Sequence, residues 1–203
     1  MAQPAPSVEH RSAPRIGVLA LQGAVREHLA AIRDVGAEGV AVRLPADLEG
    51  LDALILPGGE STTMRRLIDR YALREPILAL ARRGAPMLGT CAGMILLAGR
   101  LTDGEAPVLG LLDVAVERNA YGRQLESFEA DLEIPVLGPE SLHGVFIRAP
   151  VVAEVGPGVE VLARDPQGRP IAVRQGRVLA TAFHPELTAD RRLHRLLVEL
   201  ISS

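Results

Sequence analysis

The chain has 203 residues, 48% of them hydrophobic, a formal net charge of -3 and only five aromatic side chains. That is enough apolar material for one sizeable core, and so weak a charge with so few aromatics excludes a nucleic-acid surface. All 22 basic residues are arginine, which removes the lysine of a Walker phosphate loop and any lysine Schiff base, and the lone cysteine, Cys91, excludes an internal disulfide.

No cluster of Cys, His and acidic residues has metal-ligand spacing, so neither metal nor cofactor is expected. Residues 1–14, "MAQPAPSVEHRSAP", lack the apolar core of a signal peptide and read as a flexible tail ahead of a single domain over residues 15–203. No apolar stretch reaches the ~18 residues of a membrane span. The expectation is a soluble protein of the reducing cytoplasm with no membrane or nucleic-acid partner.

Short apolar runs alternate with amphipathic segments from Arg15 onward. "RIGVLAL" (15–21) reads as a buried strand, and "AVREHLAAIRDVG" as a helix with Val25, Leu29 and Ile32 on its inner face, stopped by Gly36. "GVAVR" and "DALILP" are further strands, "STTMRRLIDRYA" and "EPILALARR" helices, the second closed by Gly84. "APMLG" then leads into the cysteine stretch, and "AGMILLAG" leaves it as a helix. From about residue 112, "LDVAVER", "SFEADLEI", "GVFIRAP", "VEVLARD", "PIAVRQ" and "RVLATAF" are short strand-like runs, and "TADRRLHRLLVELIS" is a final helix with Leu193, Leu196, Leu197 and Leu200 inward. This order predicts an α/β fold: an open, mostly parallel, flavodoxin-like sheet with helices on both faces and antiparallel strands added in the C-terminal half.

Function in such sheets gathers at the carboxyl ends of the strands, where three turns stand out: "PGGES", "GTCAGM" and "FHPEL". The second has the form G-x-C-x-G, the thiol counterpart of the nucleophile elbow, in which small neighbours such as Gly89, Ala92 and Gly93 make room for a strained strand-to-helix corner. A following helix N-terminus favours thiolate over thiol. A lone cysteine is more often a buried small hydrophobe; the small-residue frame argues for a nucleophile instead.

A base is needed. His10 lies in the tail, His28 and His194 within helices on ordinary amphipathic faces, and His143 in a loop beside Gly144 with no evident partner. That leaves His184. Ahead of Pro185 it should continue its strand in extended form, placing Glu186, two residues on, on the same side to orient the ring. A purely structural His-Glu pair is the competing reading for "HPE" alone. The turn Gly58-Gly59-Glu60-Ser61 offers unobstructed N–H groups; with no lysine present, an oxyanion hole made by Gly59 and Ala92 is preferred to a phosphate cradle.

These residues and their surroundings, "GVLALQGAVREH", "LILPGGESTTMRRLI", "GTCAGMILLA", "VERNAYGRQLESFEADL", "GVFIRAP" and "FHPELTAD", closely resemble the glutaminase subunits of pyridoxal 5'-phosphate synthase, class I glutamine amidotransferases of the triad type. The resemblance spans about residues 15–200. It implies hydrolysis of L-glutamine to glutamate and ammonia, with ammonia passed to a separate synthase subunit that stimulates the glutaminase. By position it implies Cys91 as nucleophile, His184 as base and Glu186 as its orienter. Gly59, Glu60, Ser61, Arg118, Ile147 and Arg148 would line the glutamine pocket, a carboxylate such as Glu60 suiting the α-amino group and an arginine the α-carboxylate. Arg65 and Arg66 read as a solvated face. Two alternatives remain at this point: a stand-alone cysteine hydrolase acting on γ-glutamyl or peptide substrates, and a non-enzymatic binding module with a structural triad.

Overall fold

The computed structural model describes residues 13–121 and 127–203. The expected N-terminal tail lies outside the described residues through position 12, as do Gly122, Arg123 and Gln124 of the "RNAYGRQ" motif.

Strand β1 (Arg15–Leu19) buries Ile16, Gly17, Val18 and Leu19 in succession, the pattern of a strand covered on both faces. Helix α1 (Val25–Asp34) follows; it buries His28, Ala31 and Ile32, with Val25 and Leu29 half-buried beside them. The inward stripe thus forms where the apolar spacing predicts, and His28 is its polar member. Strand β2 (Glu38–Val42) and strand β3 (Ala53–Leu56) come next, then α2 (Ser61–Arg70), α3 (Arg74–Arg82) and β4 (Met87–Thr90). All four residues of β3 and all four of β4 are buried.

Helix α4 (Ala92–Leu97) is shorter than its apolar run predicts. The chain leaves helical geometry at Ala98 and becomes β5 (Ala98–Leu101), paired in parallel with β6 (Leu112–Glu117). Pairing overrides the apolar periodicity here because Gly99 lets the strands close up: a Cβ on it would lie 2.9 Å from the Leu112 carbonyl oxygen.

In the C-terminal half, β7 (Ser127–Leu132) and β8 (Leu142–Ile147) form a two-stranded antiparallel sheet, while β9 (Val151–Val155), which the sequence reading passes over, pairs with β6. Strands β10 (Glu160–Arg164), β11 (Pro170–Gln175) and β12 (Val178–Thr181) return to the main sheet, and α5 (Arg192–Ser202) ends the chain. The seven-stranded order is β10-β11-β12-β4-β3-β1-β2: β2, β1, β3, β4 and β12 run parallel, and β11 and β10 extend the edge antiparallel. In chain order the parallel strands read 2-1-3-4-5, the flavodoxin-like arrangement expected, whose order reverses between β1 and β3. Of the six strand-like runs expected after residue 112, three join this sheet, β12 in parallel and β10 and β11 antiparallel; the other three lie in the two small sheets beside it.

Four of the five aromatic side chains cluster in the C-terminal half. Phe128 stacks on Phe146 with ring centroids 4.4 Å apart, Tyr121 packs on Phe128 at 4.8 Å, and Phe146 meets Phe183 at 5.6 Å. Phe146 and Phe183 are the immediate neighbours of Ile147 and His184, so the cluster anchors two walls of the site described below.

Gly93 in α4 rests directly on the end of β3, where an added Cβ would lie 1.9 Å from the Leu56 carbonyl oxygen. Gly93→Ala is expected to destabilise the fold by about 3 kcal/mol through this overpacking, lowering the midpoint of thermal unfolding by roughly 6–12 °C; differential scanning calorimetry measures it.

Candidate active site

Cys91 occupies the corner between β4 and α4 with φ 50° and ψ -105°, a conformation that a non-glycine residue adopts only under constraint. The corner is held on both sides: the Cys91 N–H donates to the Thr181 carbonyl at 2.8 Å, and Met94 N–H donates back to the Cys91 carbonyl at 3.0 Å. Its neighbours must be small. A Cβ on Gly89 would lie 2.6 Å from the Gly93 backbone, so the nucleophile elbow read from the sequence is the conformation observed. The thiol lies 3.6 Å from the Ile147 carbonyl oxygen.

His184 follows β12 and faces the same cleft as Cys91, whose sulfur acts on it electrostatically. Its backbone N–H donates to the Val145 carbonyl of β8 at 2.9 Å, tying His184 to the wall that carries Ile147 and Arg148. The route to Glu186 differs from the extended one expected: Pro185–Leu187 is a turn of 3-10 helix, entered from His184 with proline at its first position. The turn still delivers Glu186 to the ring, with His184 Nδ1 and Glu186 Oε1 2.7 Å apart. Burial alone would lower the His184 pKa, but the Cys91 sulfur and the Glu186 carboxylate, which accepts its Nδ1–H, outweigh it and raise it to about 10. The Glu186 side chain is 0% exposed. Burial pushes its carboxyl upward, yet the neighbouring His28 and His184 hold it below the usual carboxylate range.

Two histidines assigned to ordinary helix faces in the sequence belong to this centre. His28 Nε2 lies 3.4 Å from Glu186 Oε2 and 3.2 Å from the Thr90 hydroxyl, and His28 Nδ1 lies 3.1 Å from His194 Nε2. Both are essentially fully buried. Burial lowers both pKa values, that of His194 to about 3, so both imidazoles are neutral at pH 7. The sequence signal was a polar residue on each predicted inward stripe. Thr90, which the motif analysis also passed over, accepts the Gly58 N–H at 3.1 Å. His143 lies on β8 rather than in a loop, exposed, with Glu129 at 2.8 Å and Asp131 at 3.0 Å across the small sheet.

The glycine turn sits against the segment after β1. A Cβ on Gly58 would lie 2.2 Å from His184 Cε1, and one on Gly23, at φ 95°, would lie 1.7 Å from the Gly58 carbonyl oxygen. Gln22 Oε1 accepts the Glu60 N–H at 2.7 Å. Glu60 caps α2, accepting from Thr62 N–H at 2.9 Å and Thr63 N–H at 2.7 Å. Hydrogen bonding from Thr63 leads the effects that lower its pKa to about 2, so the carboxylate is ionised at every physiological pH.

A cleft of about 1240 Å³ opens over these groups and brings together every predicted site residue except Glu186, which stands behind His184. Gly59, Glu60 and Ser61 line it, as do Cys91, Ala92, Arg118, Ile147, Arg148 and His184. Arg148 has φ 46° and Asn119 φ 52°, which with Cys91 makes three non-glycine residues at positive φ on the cleft wall. Arg118 bonds to Asp103, whose Oδ2 accepts from Nε at 2.7 Å, and to Glu105 at 3.0 Å; Glu105 also pairs with Arg65 at 3.3 Å. Arg65 is therefore part of this rim, and Arg66 alone of the pair stays on an exposed face. Among the described residues no group of three or more His, Cys, Asp or Glu could hold a metal ion, and no helix is long and apolar enough to cross a membrane.

A strained elbow cysteine, a histidine and a buried carboxylate are the parts of an acyl-transfer centre, and residues 18–203 match the SNO glutamine amidotransferase family. The chain belongs to that family. The pyridoxal 5'-phosphate synthase subunit PdxT of Pelotomaculum thermopropionicum is 57% identical over 185 residues, covering 91% of this chain and 94% of the relative. That of Geobacillus kaustophilus is 58% identical over 187 residues, covering 92% and 94%. A crystal structure of a glutamine amidotransferase superposes with a TM-score of 0.86 at 53% identity, covering 93% of this chain and 99% of the other. Among the readings open from the residues, the amidotransferase is the one this membership favours.

Two outcomes follow from the geometry of this amidotransferase. Gly58→Ala should displace the His184 ring and lower the rate of Cys91-dependent turnover about a hundred-fold while leaving the fold intact, as steady-state kinetics beside circular dichroism would register. The buried neutral histidines, whose folded pKa values are depressed, contribute stability that is present above the unfolded value near 6.5 and lost as pH falls below it, for His194 towards about 3. Urea unfolding between pH 7 and pH 5 should lose up to roughly 1.4 kcal/mol per pH unit for each of the two, and His194→Gln should flatten the slope.

Proposed function

We propose that the chain, as one amidotransferase domain over residues 15–203, hydrolyses L-glutamine to L-glutamate and ammonia and passes the ammonia to a separate synthase subunit for pyridoxal 5'-phosphate, in the vitamin B6 pathway. The observation that carries the reading is the line from Cys91 through His184 to Glu186 at the floor of a cleft lined by glycine backbone on one side and arginines on the other. The partner rests on the relatives, which are named as subunits of that synthase. A chemistry that needs a free thiol suits the reducing cytoplasm.

In the first half-reaction Cys91 Sγ attacks the γ-carboxamide carbon. The C–N bond breaks, His184 gives its proton to the departing nitrogen, and ammonia leaves a γ-glutamyl thioester. In the second half, water loses a proton to His184 and attacks the thioester, the C–S bond breaks, and glutamate departs. Glu186 keeps the Nδ1–H of His184 directed away from the thiol throughout. The N–H groups of Gly59 and Ala92 face the oxyanion; the first N–H groups of α4 have no carbonyl within the helix to receive them. Ionised Glu60, fixed by its capping bonds, suits the substrate's ammonium, and Arg118 and Arg148 suit its carboxylate. Asp103 and Glu105 hold the Arg118 guanidinium at the rim, so a bound carboxylate shares that cation with them.

Cys91→Ala should abolish pyridoxal 5'-phosphate formation from glutamine by the complex, a loss of at least a thousand-fold, yet leave formation from added ammonium salts intact, because only the ammonia source is removed. Retention of glutamine-dependent synthesis in that variant would end the proposal. Glutamine turnover by the isolated chain at the full rate of the complex would remove the dependence on the partner.

A further inference from the structure

We propose that His28, held by His194, is a positioning residue for this reaction: one buried imidazole ties the triad carboxylate and the glycine loop together. The inference rests on the glutaminase reading above. Neither histidine lines the cleft, and neither reaches a substrate.

The hydrogen-bond inventory fixes the arrangement. Ionised Glu186 offers only acceptors, and its Oε1 already receives His184 Nδ1–H at 2.7 Å. Its Oε2 is buried, makes no hydrogen bond of good geometry and faces His28 Nε2 at 3.4 Å, so a small rotation of the ring completes the contact. A bare Nε2 there would set lone pair against lone pair, so Nε2 carries the proton. His28 Nδ1 is then an acceptor, and His194 Nε2, 3.1 Å away, must be its donor. That leaves His194 Nδ1 bare, and it is the buried nitrogen found without a partner. The reverse tautomers would bury an unpaired N–H and point an acceptor at a carboxylate.

The same Nε2–H reaches Thr90 Oγ1 at 3.2 Å, and Thr90 Oγ1 accepts the N–H of Gly58 at 3.1 Å. His28 therefore touches both halves of the catalytic apparatus: the carboxylate that orients the base, and the loop that carries the Gly59 donor. The 3.4 Å contact is the slack in the chain, and contacts of this kind tighten in the reacting complex. The charged and titratable groups around His28 are Glu186 and His184 from the turn after β12, His194 from α5 and Arg191 just ahead of it, and Glu27 on its own helix. Glu186 and Glu27 favour a proton on it; burial and the other cations oppose it, keeping the relay neutral in the resting state.

The test compares wild type, His28→Gln, His28→Leu, His194→Leu and the double Leu variant, each with the synthase subunit, in glutaminase assays across pH. His28→Leu should lower kcat by roughly ten- to a hundred-fold with little change in KM, and move the acid limb of the kcat/KM profile to higher pH, since Glu186 loses a donor that favours its ionised form. His28→Gln, whose side-chain N–H reaches the Nε2 position, should recover most of the loss. His194→Leu should fall between, and the double variant should be no worse than His28→Leu, because His194 acts through His28. Equal impairment of the Gln and Leu variants, or a folded His28→Leu protein with wild-type kcat and pH profile, would overturn the proposal. Should His28→Leu fail to fold, His194→Leu decides, and an unmoved acid limb there is the overturning result. Failure of wild type to release glutamate, or activity surviving Cys91→Ala, would strike the glutaminase reading instead.

Discussion

A carboxylate taken wholly out of water must be answered by donors, and the way Glu186 is answered organises this molecule. Its side chain is 0% exposed and stands between two imidazoles, one from the turn after β12 and one from α1, with a third from α5 behind. No single element could supply that set. The N-terminal ends of α1 and α5 have to meet at the carboxyl edge of the sheet for the charge to be tolerated, so the cost of burying it couples the packing of these two helices to the alignment of the His184 ring. Stability and the alignment of the His184 ring share the same bonds here.

The opposite side of the cleft rests on glycine backbone, with Gln22, Glu60 and Ser61 beside it. Gly23, Gly58, Gly89 and Gly93 each stand where a Cβ would strike backbone or the His184 ring. These contacts bring the ends of β1, β3 and β4 closer than any alanine would permit, which is what lets a small turn approach a nucleophile at a strained corner. The aromatic cluster does the complementary work on the far wall. Phe146 and Phe183 lock the residues next to Ile147 and His184, while the strained backbone of Arg148 and Cys91 is borne by the packing on either side.

Much of this was legible in the chain itself. The alternation of apolar runs and amphipathic segments specifies the parallel strands and their order of use, and three short turns at strand ends, "PGGES", "GTCAGM" and "FHPEL", mark the site, because their residue types are those a strained elbow, a base with its orienter and an N–H donor require. What escaped has physical reasons. The change from α4 to β5 is decided by pairing with a strand about fifteen residues on, which local periodicity cannot register. His28 and His194 are 166 positions apart and each satisfies a helix pattern by itself; only the closure of the fold reveals that they face each other. Glu186 was expected beside His184 through extended geometry, and a 3-10 turn achieves the same proximity by another path.

The contact between Gly23 and the Gly58 carbonyl has an implication for redesign. Backbone meeting backbone leaves no rotamer to repack, so this wall of the cleft cannot be recontoured by exchanging residues one at a time. The opposite rim, with Arg118, Ile147, Arg148 and the half-exposed Leu187, is made of side chains. Freedom to accept a differently shaped amide lies chiefly on that rim, while the backbone contact of the glycine wall acts as a template whose shape is inherited whole.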